Sequence, residues 1–398
     1  MNGFLSSVSR VANSVFSRRS MAVAGAAALL AGCQVIPKTE TVTTAPPPTA
    51  RPAPTPTALP TDAVRHRIAL LVPMSGDTAP VGQALANATT MALLDTNAQN
   101  LRITTYDTGL GAETAARQAI ADGNKLILGP LLASNVPAVR AQARPAGVPT
   151  VAFSNDTKVA GSGVYLMGYV PEQSIERSVV FARARGSNFF AALVPDGDYG
   201  ARSLTALEKA IASYGGQLVA KESYARGNTS IVSAAQRLRT KGGYDTVLIA
   251  DGARMATQAA SELKRAGAGG TRILGTELWS GEAALTQASA AEGAIFSAVT
   301  DRRYRRFATS YEARFGAKPY RIATLGYDSV LMTIRLTGDW QVGSSLAAGR
   351  LEDREGFMGL DGRFRFGADG VAQRALAVRR VSGGTVSEVE AAPSTFGE

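Results

Sequence analysis

Six polar side chains stand just beyond short apolar runs, where a sheet would hand them to a ligand. They are Ser75 in "LVPMSGD", Ser134 in "LLASNV", Ser154 in "VAFSND", Tyr199 in "VPDGDYG", Asp251 in "LIADGA" and Glu277 in "LGTELW". Ligands of open parallel sheets gather beyond the carboxyl ends of the strands. Helix N-termini at that edge present unpaired N–H groups and a partial positive charge, which suits carboxylates. Serines in such turns can hold an acidic or zwitterionic ligand, or simply cap the next helix. Asp251 or Glu277 can accept from a ligand ammonium group, or serve as a solvated turn acid. Tyr199 can pack on a ligand or on a domain interface. Trp279, two residues beyond Glu277, can fill the space instead. The chemistry on offer is holding, not bond breaking.

Catalysis finds little to work with. The chain of 398 residues has one cysteine and one histidine, His66, so internal disulfides are excluded and histidine chemistry is sharply limited. It contains no Gly-x-x-x-x-Gly-Lys loop and no His-Glu-x-x-His pair. Asp196 and Asp198 lack the remaining ligands of a calcium loop. A serine nucleophile needs a base, and His66 stands at the edge of a proline-rich tract. The expectation is a protein without catalytic residues, metal site or cofactor.

The elements that position the six residues alternate. "RIALLVPM" is a nearly unbroken apolar run, as expected of a strand buried on both faces of a parallel sheet. A helical pattern follows, with Val81, Ala84, Leu85, Ala88 and Ala92 on one face. The alternation continues through "LRITTYDT", "KLILGPL" and "VPTVAFS", and resumes after Pro171 through "NFFAALVP", "GQLVAKESY", "DTVLIAD" and "TRILGTE". Two blocks of strand–helix units imply an α/β chain folded as two doubly wound parallel-sheet lobes. The end departs from this rhythm. Residues 301–336 read as two helices, and Asp-Gly pairs at Asp361 and Asp369 signal hairpins.

The N-terminal region reads differently. The charged residues of 1–20 are all basic, and "MAVAGAAALLA" is a greasy stretch too short to span a bilayer, which needs ~20 residues. Leu30-Ala31-Gly32-Cys33 resembles a bacterial lipobox, which implies lipidation of Cys33 and removal of residues 1–32. Gln34 in place of Asp after that cysteine implies sorting to the outer membrane, so the resemblance gives a periplasmic protein tied to that membrane by its lipid. "SRRSM" also resembles a twin-arginine export signal, with Met21 where Phe is usual. Residues 33–65 read as a Pro/Thr-rich linker. Eight of the 18 prolines fall between Gln34 and Pro60. Extended, the tract from 39 to 62 would reach on the order of 75 Å. The formal charge of +10 favours anionic neighbours only weakly and does not indicate nucleic acid. "DRRYRRF" places Arg302, Arg303, Arg305 and Arg306 together, as a solvated helix face or as a dock for an acidic partner or glycan strand.

Six segments in order resemble the type I periplasmic-binding fold of the leucine/isoleucine/valine-binding class. They are "RIALLVPMSGDTAPVGQALANATTMAL", "ILGPLLASN", "GVPTVAFS", "VPDGDYGARS", "LGYDSVLM" and "FMGLDGRFRFGADG". The resemblance covers residues 66–392 and implies lobes that exchange chain across a three-strand hinge. Lobe one is then 66–168 with 299–345, and lobe two 169–298 with 346–392. It further implies that Ser75, Ser134 and Ser154 hold an amino-acid-like ligand, as matching positions do in amino-acid receptors.

Two functions follow from the resemblance. Lipoproteins with this fold include activators of penicillin-binding proteins, the peptidoglycan synthases of the opposite membrane. The lipobox, Gln34 and the spacer suit that geometry, although the helical-repeat domain of the best-known activators is missing. The alternative is a substrate-binding lipoprotein that delivers branched-chain amino acids or similar solutes to an ABC transporter permease.

Overall fold

The apolar run at the start of the folded part becomes the strand on which the first sheet is built. The computed structural model describes residues 62–227, 230–265 and 270–396. The expected signal peptide, Cys33 and the linker up to residue 61 lie outside the described residues. Strand β1 (His66–Val72) is followed by α1 (Ala79–Thr96), β2 (Leu101–Asp107), α2 (Ala112–Ala121), β3 (Leu126–Leu128), α3 (Val136–Ala143), β4 (Thr150–Ala152) and β5 (Val164–Leu166). All five strands are parallel, in the order β2-β1-β3-β4-β5. Ile68 through Val72 are at most 1% exposed, because helices cover both faces. Each large aliphatic chain buried there contributes about 1.5–3 kcal/mol. Helix α1 starts with a proline in its first turn and stops at Asn97, whose left-handed φ of 49° is one that asparagine tolerates.

The chain then crosses to a second lobe. It runs through α4 (Pro171–Arg183), β6 (Phe189–Pro195), α5 (Asp198–Tyr214), β7 (Gln217–Tyr224), α6 (Ser230–Lys241), β8 (Thr246–Ile249), α7 (Ala253–Leu263), β9 (Arg272–Leu274), α8 (Ala284–Gln287) and β10 (Ile295–Ala298). These strands are parallel in the order β10-β9-β8-β6-β7. A second crossing returns to lobe one with α9 (Tyr304–Phe315) and α10 (Thr324–Leu336), which pack on α1 through Phe307 and Tyr311 of α9 and Val330 of α10. The small antiparallel sheet β11 (Phe357–Gly359), β12 (Gly362–Phe366) and β13 (Ala372–Arg374) follows. The two Asp-Gly pairs fall in its connections, as the turn chemistry requires. After a third crossing, β14 (Ala377–Ser382) and β15 (Thr385–Glu390) extend the second sheet as antiparallel strands beyond β10.

The lobe boundary expected at 345/346 is corrected. Leu346, Leu351, Phe357, Phe364 and Phe366 share one buried core with Ile68, Leu70, Leu126 and Leu128 of the first sheet. Residues 346–374 therefore belong to lobe one, and only β14 and β15 return to lobe two. The reason is apolar area: the phenylalanines of β11 and β12 have the first sheet and α10 to bury against, whereas β14 pairs with β10. The three crossings expected of the hinge are present, at 167–170, 299–303 and 375–376. They are tied side by side. Arg374 donates through Nη2 to Met167 O at 2.6 Å, and Gln173 of α4 accepts from Arg374 N at 2.9 Å. Arg379 of β14 reaches Asp301 Oδ2 at 2.5 Å and also bonds the carbonyl of Val299.

Candidate functional site

The turns at the carboxyl ends of β3, β4 and β9 meet across a cleft of about 440 Å³ between the lobes. From lobe one come Leu131, Leu132 and Ala133 after β3, Phe153, Ser154 and Asn155 after β4, and Arg321 and Ile322 ahead of α10. From lobe two come Glu277, Leu278, Ser280 and Glu282 after β9, while Tyr169 of the hinge forms the floor. The volume lies within the range of small-molecule sites, and the apolar walls with a few convergent polar groups match their usual chemistry. A hollow of about 310 Å³ near Arg140 and Ser162 borders the opposite ends of β4 and β5, away from the strand edge where such sheets bind.

Two of the six expected residues line this cleft. Ser154 is 3% exposed, and its Oγ accepts from Asp156 N at 3.1 Å, so it braces its own turn. The hinge passes directly over it: a Cβ at position 168 would lie 2.2 Å from Ser154 O, so only Gly168 permits that approach. Glu277 opens a short 3-10 turn after β9. Its Oε1 accepts from Tyr199 OH at 2.9 Å, and that hydroxyl also bonds Thr276 Oγ1 at 2.9 Å. Its Oε2 is buried with no partner among the described residues. Burial pushes the Glu277 carboxyl up to about 8, against the bond from Tyr199, which favours its protonated form.

The other four stand elsewhere. Tyr199 sits behind Glu277 and orients it. Asp251 does not line the cleft. Its Oδ2 accepts from Tyr224 OH at 2.6 Å and from Arg226 Nε at 3.1 Å, and its Oδ1 from Gly252 N at 2.7 Å, so its carboxylate is used up in holding the turn after β8. Ser75 bonds Asp107, whose carboxylate also takes Met74 N at 2.7 Å and Gly109 N at 2.7 Å; this cluster closes the β1–α1 turn. Ser134 lies exposed in the 3-10 turn ahead of α3. Neither serine makes a side-chain cap bond; the N-cap positions fall at Thr78 and Asn135. Trp279 does not fill the cleft. It is 2% exposed, bonds Asp251 O through Nε1 at 2.9 Å and lies against Gly275, where a Cβ would come within 2.2 Å of its ring.

The sequence reading missed the polar centre at the inner end. Arg321 Nη2 donates to Asp361 Oδ1 at 2.7 Å and Nη1 to Thr324 Oγ1 at 2.9 Å. Its Nε reaches across the lobes to Ser280 Oγ at 3.3 Å. Tyr169 OH bonds Asp361 and lies 2.8 Å from Thr324 Oγ1. Burial pushes Asp361 up, but Arg321 and Arg374 outweigh it and hold the carboxyl below its ordinary range. The neighbouring Asp328, fully buried and bonded by Leu360 N at 2.6 Å, is pushed up by burial and by the charge of Asp361. Arg321 and Asp361 come from segments 40 residues apart. The one signal available was their position beside the "LGYDS" and "GLDG" motifs.

The chain's only histidine is remote from this centre. His66 is 4% exposed and stacks on Trp340 at 4.3 Å, so it cannot serve Ser154 as a base. Among the described residues no three acidic, histidine or cysteine side chains gather as a metal site, and no helix is long and apolar enough to cross a membrane. Arg302, Arg303, Arg305 and Arg306 are exposed around the start of α9, away from the cleft, and Arg303 bonds Gly359 O at 2.7 Å.

Two parallel-sheet lobes on a triple hinge, with a mixed polar and apolar cleft at their strand ends, define a two-lobed binding protein. The family model "Periplasmic binding protein" matches residues 66–385, and the chain belongs to that family. Solved structures agree in fold. A putative branched-chain amino acid ABC transporter protein of Rhodospirillum rubrum superposes with a TM-score of 0.72 at 19% identity, over 82% of this chain and 100% of that one. A leucine-binding protein of Thermotoga maritima gives 0.63 at 18% identity, over 83% and 99%. A solute-binding protein of an R. palustris ABC transporter, in complex with benzoate, gives 0.63 at 18%, over 84% and 98%. An uncharacterised protein of Rickettsia prowazekii is 26% identical over 137 residues, a stretch that spans 36% of that relative and 33% of this chain.

Proposed function

We propose that this chain is the solute receptor of an ABC transporter, taking a small organic solute into the cleft between its lobes. The observation that carries this reading is the cleft itself. It has the volume of a small-solute site, it lies at the strand ends of both lobes, and its lobe-two wall includes Glu277, whose Oε2 is buried with no partner among the described residues. The solved relatives support the same class, since those named are proteins of ABC transporters or bind leucine. A permease is then the protein partner. The family places the folded part in the periplasm, and the lipobox at Cys33 supplies its mooring; mass spectrometry of the mature N-terminus tests that attachment.

The reading as a penicillin-binding protein activator takes second place. Its sequence support, the lipobox and the tether, lies outside the described residues, and nothing in the cleft or on the lobes adds to it. A thermal-shift screen of the full chain with leucine, isoleucine, valine, benzoate and 4-hydroxybenzoate decides between the two. A ligand of the native state stabilises by RT ln(1 + [L]/Kd), so the receptor reading predicts a midpoint that climbs with concentration for at least one solute. No shift with any solute, together with capture of a purified peptidoglycan synthase, would reverse the ranking.

A further inference from the structure

The cleft has a smaller neighbour. Behind Tyr169 lies a void of about 30 Å³, and Tyr169, Glu277, Ser280 and Arg321 are walls of both spaces. Its far wall is Arg374, at the third hinge crossing. Arg374 is 8% exposed, and its guanidinium is held between the rings of Tyr169, at 4.8 Å, and Phe364, at 5.1 Å. Of its side-chain nitrogens, Nη2 bonds Met167 O at 2.6 Å, but Nε and Nη1 are buried and unbonded among the described residues. Glu277, whose Oε2 is likewise buried and unbonded among the described residues, also lines the void.

Two residues that carry unpaired buried polar atoms, Arg374 and Glu277, thus line one small void. Buried N–H and carboxyl groups left without partners each cost on the order of 1–3 kcal/mol, so folded proteins rarely keep them. Charge points the same way. Arg321 is balanced by Asp361 at 2.7 Å. Arg374 shares the charge of Asp361 and Asp328 without an ion-pair contact of its own among the described residues, and burial favours the protonated form of Glu277. The void needs about 10–15 Å³ for each water-sized group, so it has room for two, the size of the oxygens of one carboxylate. A cation would meet the guanidinium and is excluded.

Building on the receptor reading, we propose that the hinge void is a subsite for the carboxylate end of the solute, held by Arg374 and by the carboxyl group of Glu277. The rest of the solute lies outward in the cleft, against Leu131, Phe153 and Ile322. Because Arg374 belongs to the lobe-one side of the third crossing and Glu277 to lobe two, an occupied subsite joins the lobes at their pivot.

The test is isothermal titration of the full chain with three acid–amide pairs: benzoate and benzamide, 4-methylpentanoate and 4-methylpentanamide, and L-leucine and L-leucinamide. The expected result is at least about a tenfold preference for the acid in any pair that binds. Arg374→Gln removes that preference, and Arg374→Lys restores part of it. The readout is the acid-to-amide ratio within each variant, which a merely loosened hinge does not move. Equal binding of acid and amide by the native chain overturns the subsite and leaves the receptor standing, as does a preference that survives Arg374→Gln. Failure of all six compounds to bind overturns both.

Discussion

The turns after β8 and β9 lie side by side in lobe two, the first carries Asp251 and the second Glu277, and of these two only Glu277 has an oxygen left unbonded among the described residues. Asp251 spends its carboxylate on Tyr224, Arg226 and Gly252, and its carbonyl on Trp279. Glu277 accepts from Tyr199, and its Oε2 is buried with no side-chain or backbone partner assigned among the described residues. A carboxylate saturated by its own lobe is architecture. A carboxyl group that the fold orients and then leaves incomplete is available to a ligand. Ser75 is committed to Asp107, and Ser154, although it lies in the cleft wall, accepts from Asp156 N in its own turn.

Removing the architectural acid breaks the comparison most severely. Asp251→Ala leaves Tyr224 OH and Gly252 N without their acceptor and should cost about 2–3 kcal/mol in urea unfolding. A loss below about 0.5 kcal/mol would mean that Asp251 is not the brace of its turn.

Glu277 makes the opposite prediction. Its carboxyl titrates near 8 in the native state against an ordinary 4.5. Between those values the native state holds the proton and the unfolded chain does not, so stability falls as pH rises from about 4.5 to 8. Glu277→Gln should flatten that part of the melting-temperature profile. A profile unchanged by the substitution would place the carboxyl in an ordinary environment.

The smallest effect is expected at an exposed ion pair between the lobes. Lys158 of lobe one and Asp198 of lobe two are 3.0 Å apart, with side chains 63% and 76% exposed. Such pairs contribute roughly 0–1 kcal/mol. Lys158→Ala should therefore change stability little, and any effect on ligand affinity should disappear in high salt. An effect as large as that of Asp251→Ala would mean that the lobes are clasped at their rim rather than at the hinge.

Much of the scaffold was legible because it is written in short-range patterns. Residues 67–72 announce a doubly buried strand, and the glycines after Asp361 and Asp369 announce hairpins. The lobe boundary was not legible. Whether Phe357, Phe364 and Phe366 bury against the first sheet or the second depends on space that other segments create. The candidate site divides in the same way. "Polar residue after a strand" located Ser154 and Glu277, but it also selected Ser75, Ser134 and Asp251, because local sequence does not state which polar groups find partners within their own lobe. Arg321, Asp361 and Arg374 were invisible for the converse reason: no strand precedes the first, the turn chemistry already accounts for the second, and the third stands in a run of alternating residues.

The central claim is that the cleft binds a small solute through the turn after β9. The most direct measurement is the dissociation constant of the tightest-binding acid for native, Glu277→Ala and Asp251→Ala chains, at a temperature where all three are folded. The account predicts a loss of about tenfold or more for Glu277→Ala and a value within about threefold of native for Asp251→Ala. Full affinity in Glu277→Ala, with the loss confined to Asp251→Ala, would contradict it.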